Sequence, residues 1–482
     1  MCRLPPEPLE AGRLSARTQR RSVMRSSTLR PTGFVPLLAA SVVGVYVLVV
    51  VGSTAALSDA AAACGGWPLC RGDLSDPAVL VATFHRLVAA VVGVLVVAAT
   101  AVGWREGTRR VRAALVVALF LYPIQAAVGA VVATGTGIGQ LHLLAAMVIF
   151  AALVLALAWQ LETETGSDDA PETVPDPAPA ADDDAGSGPT PALSGAERVK
   201  ATVGAYFRLM KPRLMWLLCL VAGAGMVLAG TPSIRTVVAT LGGGVLAIGA
   251  SGTFNHVLER DVDKRMDRTS DRPLATHEVP VRNAFAFGGL LTVASLWAFL
   301  SVNLLTVALG LAAIAFYSVV YTLVLKPNTV QNTVLGGAAG ALPALIGYAA
   351  VTGTVGTVGL VLAGVIFLWT PAHFYNLALA YRDDYERGGF PMMPVVRGET
   401  ETRKHILLYL GATLLGAGAL AAVSDLGWLY GATTVSLGAV FLWMVVRLHY
   451  ERSEGAAFRA FHASNAYLGL VLVAIVVDGL AV

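Results

Sequence analysis

The sequence predicts an all-α polytopic membrane protein: a four-helix transmembrane bundle, an acidic linker, and a nine-helix intramembrane domain. Three observations carry this. Of 482 residues, 56% are hydrophobic and 13% charged, with a mean hydropathy of +0.69, whereas a soluble domain carries about 25% charged residues. The charges fall in bursts between apolar runs close to the ~20 residues that one spanning helix needs. The 50 glycines suit helices packed backbone to backbone. A single soluble core, a disordered regulator and a disulfide-framework protein are thereby excluded, and the net charge of +3 is uninformative by itself.

Residues 1–33 hold Arg3, Arg13, Arg17, Arg20, Arg21, Arg25 and Arg30 against Glu7 and Glu10, directly ahead of an apolar run from Phe34 to about Leu57. The positive-inside rule makes this end cytoplasmic. A cleaved signal peptide is the alternative, and the run is longer than a typical signal h-region. Further runs at about 77–103, 113–134 and 140–160 complete a membrane domain over 34–161, with Arg105, Arg109, Arg110 and Arg112 marking an inner loop and 58–76 and 135–139 falling outside. From Glu162 the composition turns to Asp, Glu, Pro, Gly, Ser and Ala, including Asp182, Asp183 and Asp184. Such a stretch buries too little apolar area to fold, so 162–197 is expected to be a disordered, flexible acidic linker.

Runs near 213–230, 235–256, 283–302, 304–324, 333–352, 357–379, 404–424, 428–447 and 464–482 then give nine helices in a domain over 198–482. Thirteen spans in a multi-pass protein of the cell membrane place the C-terminus outside and the linker and the loops 257–282, 380–403 and 447–463 inside. Lys264, Arg265, Arg268, Arg272, Arg382, Arg387, Arg397, Arg403 and Lys404 all fall on the inner side and agree with that orientation.

Asn255, Glu259, Asp263 and Asp267 recur every four residues, which stacks them on one helix face. Like charges so placed repel, and a cation is expected to hold them. Oxygen ligands without Cys or a His cluster suit Mg²⁺, which takes one or two carboxylates plus substrate phosphate and water. Lys264, Arg268 and Arg272 offer phosphate contacts. The competing reading is a solvated juxtamembrane helix whose acids and bases pair among themselves. Against it, Asp383, Asp384 and Tyr385 concentrate acid in a second inner loop, so the two loops read as halves of one diphosphate site.

The segment from Asn255 to Leu274 resembles the first aspartate-rich motif of the UbiA superfamily of intramembrane prenyltransferases, and more closely its protoheme IX farnesyltransferase (heme O synthase) branch. The likeness extends over about 200–482, through Lys211-Pro212-Arg213, Tyr321 to Lys326, Thr329 to Gly337, Trp369-Thr-Pro371-Ala-His373-Phe374, and Asp384-Tyr385 through Arg397-Gly398. Glu259 stands where the superfamily usually has Asp, and Gly388 stands where a second carboxylate would follow Asp384. The resemblance implies transfer of a farnesyl group from farnesyl diphosphate to a vinyl group of heme b. It implies Asn255, Glu259, Asp263 and Asp384 as Mg²⁺ ligands, with Lys326 joining them in catalysis. Lys211, Arg213, His256, Asp267, Arg268, Arg272, Asn332, His373, Tyr385 and Arg397 are the implied substrate-binding set. His256 and His373 are candidates for heme contact or proton handling, or else histidines hydrogen-bonded inside the bundle.

In the first domain, Cys64 and Cys70 lie six apart in an outer loop, where a disulfide can form. His85 and His142 fall in the outer half of the four-helix bundle, where two facing imidazoles can ligate a heme iron; packing histidines are the alternative. Trp67-Pro68-Leu69-Cys70, His85-Arg86, Gln125 to Gly129, Thr134-Gly135 and His142-Leu143 resemble one half of the heme A synthase family, with Ala82 where family enzymes commonly have Glu. That likeness implies a domain that binds or hands on heme, with heme A synthase or a second copy of this chain as candidate protein partners alongside the lipid bilayer. Nothing points to nucleic acid. Rival functions are a prenyltransferase with a quinone-precursor or lipid acceptor, and a heme carrier with degenerate prenyltransferase helices. The segments 326–332 and 369–374 argue against the first, and intact Asn255, Glu259 and Asp263 against the second.

Overall fold

A computed structural model describes residues 33–57, 63–134, 138–169 and 194–481, so the basic segment 1–32 and the linker residues 170–193 lie outside the described residues. Among the described residues, thirteen helices are long and apolar enough to cross a membrane. Four precede the linker: α1 (Phe34–Leu57), α2 (Pro77–Glu106), α3 (Arg109–Val132) and α4 (Gly139–Thr165). After a short helix α5 (Gly195–Leu209) come α6 (Pro212–Ala229), α7 (Ile234–Asp263), α8 (Val281–Leu300), α9 (Leu304–Asn328), α10 (Asn332–Thr352) and α11 (Thr357–Ala380). Two short helices, α12 (Arg382–Arg387) and α13 (Met393–Val396), lead to α14 (Gly398–Val423), α15 (Trp428–Glu451) and α16 (Glu454–Ala481).

Several helices run past their apolar stretch. α7 continues to Asp263 rather than ending near 256, α14 begins at Gly398 rather than 404, and α16 begins at Glu454 rather than 464. Partners for the polar side chains allow this: on α7 the acidic face is covered by Lys326 of α9 and by Arg272 of the loop that follows α7, and α14 starts under a carboxylate cap. Helix α5 was not expected as an element. Ser194 and Glu197 form a capping box at its start, Tyr206 packs edge-on to Phe287 with centroids 5.0 Å apart, and Arg208 pairs with Glu278.

The first four helices share a core with the rest of the molecule. One contiguous buried cluster includes Phe34, Leu38, Tyr46, Phe150 and Leu157 together with Leu410, Leu414, Phe441 and Tyr467. Glycines make the approach close: an added Cβ at Gly411 would lie 2.7 Å from Val154, and one at Gly418 2.8 Å from Val49. Tyr46 Oη and Thr434 Oγ1 share a hydrogen bond of 2.9 Å inside this core.

The N-terminal end of the expected linker is held. Lys404 Nζ donates to Glu162 at 2.9 Å and Tyr450 Oη to Glu164 at 2.6 Å. The Asp169 carboxylate accepts from the backbone N–H groups of Glu399 at 3.2 Å and Thr400 at 3.1 Å, satisfying donors that the first turn of α14 leaves without intrahelical partners. Residues 162–169 therefore differ from the flexible reading because their acids have specific partners.

Candidate active site

The acidic face of α7 is buried, with Asn255 2%, Glu259 5% and Asp263 1% exposed. The stacking expected from the four-residue period holds for these three. It fails for Asp267: the helix ends at Asp263, where Thr269 Oγ1 donates to the Asp263 carbonyl at 2.9 Å, and Asp267 turns outward to pair with Arg387 at 2.7 Å. Side-chain cations from elsewhere in the fold hold the buried acids. Lys326 Nζ donates to Glu259 at 2.6 Å, and Arg272 grips both Asp263 oxygens at 2.8 and 2.9 Å. Lys211 donates to Asn255 Oδ1 while Asn255 Nδ2 donates to Thr322 Oγ1 at 3.1 Å.

Lys211 reaches this face from a turn in left-handed conformation (φ 55°) just ahead of Pro212, uncommon for a non-glycine residue. Gly252 permits it: a Cβ there would sit 2.9 Å from the Leu209 carbonyl. Burial, and after it the Arg272 guanidinium, push the Lys211 ammonium down to about 7.

The other wall comes from a π-helical stretch of α9, Phe316–Leu325. An α-helix would put Tyr317 and Lys326, nine positions apart, on opposite faces. The wider π turn brings Tyr317, Thr322 and Lys326 to the same side: Tyr317 Oη lies 3.3 Å from Lys211 Nζ, and Thr322 and Lys326 touch Asn255 and Glu259. π-Segments occur often at functional sites.

Below this charged cage lies an apolar cavity between α6, α7, α8, α9 and α10, lined by Leu214, Cys219, Leu241, Ala247, Phe299 and Pro343 among others. Lys211 and Tyr317 belong to both the cage and the cavity wall. Thr240 to Gly252 line it along α7, a depth of about 18 Å at 1.5 Å per residue.

The second acidic loop clamps the first. Asp384 accepts from the backbone N–H groups of Asp267 at 3.3 Å and Arg268 at 3.1 Å and pairs with Arg387. Arg268 lies against the rings of Tyr381 and Tyr385, 4.8 and 4.9 Å from their centroids, and donates to Tyr385 Oη at 3.1 Å. Phe390 covers Lys326, its centroid 4.2 Å from Nζ. The two loops thus form one assembly, although Asp384 itself contacts the first loop's backbone rather than Asn255, Glu259 or Asp263.

Other expected residues are dispersed. His256 is 4% exposed with a buried Nδ1 that has no hydrogen-bond partner. Asn332 ties down the turn after Lys326, donating to the Thr329 carbonyl at 2.8 Å. His373 stands apart, stacked between Trp369 and Phe461 at 4.3 and 4.4 Å, with Nδ1 2.6 Å from Ser464 Oγ. Arg213 and Arg397 are exposed. Tyr317, Thr322 and Phe390 join the site without having been singled out from sequence.

Residues 216–469 match the UbiA prenyltransferase family. The chain belongs to that family. Protoheme IX farnesyltransferase 1 of Natronomonas pharaonis is 76% identical over 454 residues, covering 94% of this chain and 100% of the relative. Protoheme IX farnesyltransferase of Haloarcula marismortui is 67% identical over 456 residues, covering 93% and 98%. The solved structure of a digeranylgeranylglyceryl phosphate synthase superposes with a TM-score of 0.50 at 14% identity, covering 59% of this chain and 100% of its own, a likeness of fold. With its thirteen apolar spans this UbiA-family chain is an integral membrane protein.

Ahead of the UbiA match, the first four helices hold a second set of polar groups. Cys64 and Cys70 are joined in a disulfide with Cα atoms 5.0 Å apart. Arg86 Nη1 donates to the Gly66 carbonyl at 2.5 Å, tying that loop to α2. The rings of His85 and His142 each fit against a glycine: a Cβ at Gly52 would be 3.2 Å from His85, and one at Gly129 3.0 Å from His142. The Nδ1 atoms of both are buried without a hydrogen-bond partner. Gln125 donates to the His142 carbonyl at 2.7 Å and fixes α3 against α4.

Proposed function

We propose that this protein transfers the farnesyl group of farnesyl diphosphate to a vinyl group of protoheme IX, giving heme O for terminal-oxidase assembly. The observation that carries the reading is a buried cage of three cations and two carboxylates opening onto an apolar cavity, in a chain whose near-full-length relatives are named for that reaction. The diphosphate leaves only as its charge is neutralised. Lys211, Lys326 and Arg272 converge where they can share that charge, and Asn255, Glu259 and Asp263 keep them oriented before substrate arrives. The cavity takes the chain and keeps water from the allylic carbon. The carbon–oxygen bond breaks with both electrons on the diphosphate, a vinyl carbon supplies the pair for the new carbon–carbon bond, and water takes the cation left on the adjacent carbon, releasing a proton.

Mg²⁺ fits this face. Asn255, Glu259 and Asp263 are a hard oxygen set with two carboxylates, the number Mg²⁺ uses when substrate phosphates complete its shell. Among the described residues no group of three or more His, Cys, Asp or Glu forms a cage without substrate. The ion would add Lewis-acid stabilisation of the leaving group. Asp384 serves that site by holding the 267–268 backbone.

The positive-inside bias supports placing the linker and both acidic loops in the cytoplasm and the C-terminus outside. The buried, unpartnered Nδ1 atoms of His85 and His142 support a heme held by the first four helices and passed on from there. The test is extraction and mass analysis of hemes from a host that makes heme b alone, with and without the full chain. Appearance of heme O supports the reading; unchanged heme b with well-expressed protein overturns it.

A further inference from the structure

We propose that the ring of Tyr317 stabilises the allylic cation as the carbon–oxygen bond of the prenyl diphosphate breaks. The inference rests on the prenyl-transfer reading above and assigns a catalytic role to a residue outside the acidic motifs. A substrate with its diphosphate in the cage and its chain in the cavity must lay the bond that joins them across the boundary between the two. Of the residues in the cage, Lys211 and Tyr317 alone also line the cavity. Lys211 is matched to the diphosphate by charge, which leaves the Tyr317 ring beside the carbon.

The ring is built to stay there. The π-helical stretch turns it toward α7, and Tyr321 stacks on it with centroids 5.5 Å apart and planes 30° from parallel. Tyr321 is itself pressed on Gly336, where a Cβ would lie 2.7 Å away. Positive charge already stands at the hydroxyl end of the ring, where Lys211 Nζ lies 3.3 Å from Oη and 5.5 Å from the centroid. A ring face attracts a cation most where water is excluded, and the neighbouring wall is apolar. In the step proposed, both electrons of the broken bond leave with the diphosphate. The cation spreads over the allylic carbons beside the ring, and the acceptor's electron pair quenches it; Tyr317 forms no bond and moves no proton.

The experiment uses the purified full chain with saturating farnesyl diphosphate and heme b, reading diphosphate release and prenylated heme together. Tyr317→Phe keeps the ring and is expected within about threefold of the parent, while Tyr317→Leu should lose roughly thirtyfold in kcat with little change in the KM for the diphosphate. Mono-, di- and trifluorinated phenylalanine at 317 withdraw electrons from the ring in steps and should lower kcat in steps. Tyr317→Leu matching Tyr317→Phe, or a flat fluorine series, overturns the proposal. So does Tyr317→Phe falling as far as Tyr317→Leu, because the hydroxyl would then be what matters. A parent chain that releases diphosphate without prenylating heme overturns the acceptor assignment instead, and the ring series is then decided on diphosphate release.

Discussion

Glu259 on α7 and Lys326 at the end of α9 meet at 2.6 Å in the interior, 67 residues apart in sequence. The pair joins the acidic motif to the π-helical wall. Lys326→Met should strand the Glu259 charge and cost about 3–5 kcal/mol of stability, read as a lowered unfolding temperature in detergent. The double change Glu259→Gln with Lys326→Met should regain most of that stability and none of the activity. Recovery of activity as well would show that the pair is only structural.

Asp263→Ala and Asn255→Ala should each abolish heme O formation while the protein remains folded in the membrane. Heme extracts and membrane content from the same cells check both halves of this expectation. Undiminished turnover with Asp263→Ala would remove α7's acidic face from the reaction.

The linker should tolerate shortening beyond its anchored start at 162–169. Deleting about 15 residues within 171–190 is expected to leave heme O production largely intact, because effective concentration changes slowly with tether length. Asp169→Ala, which removes the cap on α14, should cost about 1 kcal/mol. Thermal unfolding of the two variants side by side distinguishes tether from cap.

The purified full chain should bind a second heme with a low-spin, two-imidazole spectrum, and His85→Ala or His142→Ala should weaken it or convert it to high-spin. Reducing the Cys64–Cys70 disulfide should weaken binding less than removing either histidine. An identical spectrum after both replacements would return the rings to packing.

Gly347→Ala tests the wall of the cavity. A Cβ there would lie 2.0 Å from the Ala222 carbonyl, so α6 and α10 must separate, at a cost of about 1–3 kcal/mol. Thermal unfolding checks the stability, and the KM for farnesyl diphosphate, expected to rise, checks the cavity.

The thirteen spans were legible because each is a long apolar run, and Asn255, Glu259 and Asp263 because their spacing matches the helical period. Asp267 kept that spacing beyond the point where the helix stops, and nothing in the period marks the stop. Tyr317 and Thr322 were hidden for the opposite reason: a spacing of five and then four residues to Lys326 fits no α-helical face, and only the π turn aligns them. The anchoring of Glu162, Glu164 and Asp169 was equally invisible. An acidic stretch looks solvated until the fold brings Lys404, Tyr450 and the start of α14 beside it.

The hydrogen bond between Tyr46 and Thr434 spans 388 residues, and its consequence is temporal. Helix α1 is synthesised long before α14 and α15, yet its buried face meets both. The first four helices must therefore wait in the bilayer with that face covered by lipid until the rest of the chain arrives. Closing so non-local a contact is slow, so complete assembly should lag insertion. Protease resistance of the first four helices should then appear only after α14 and α15 have been made.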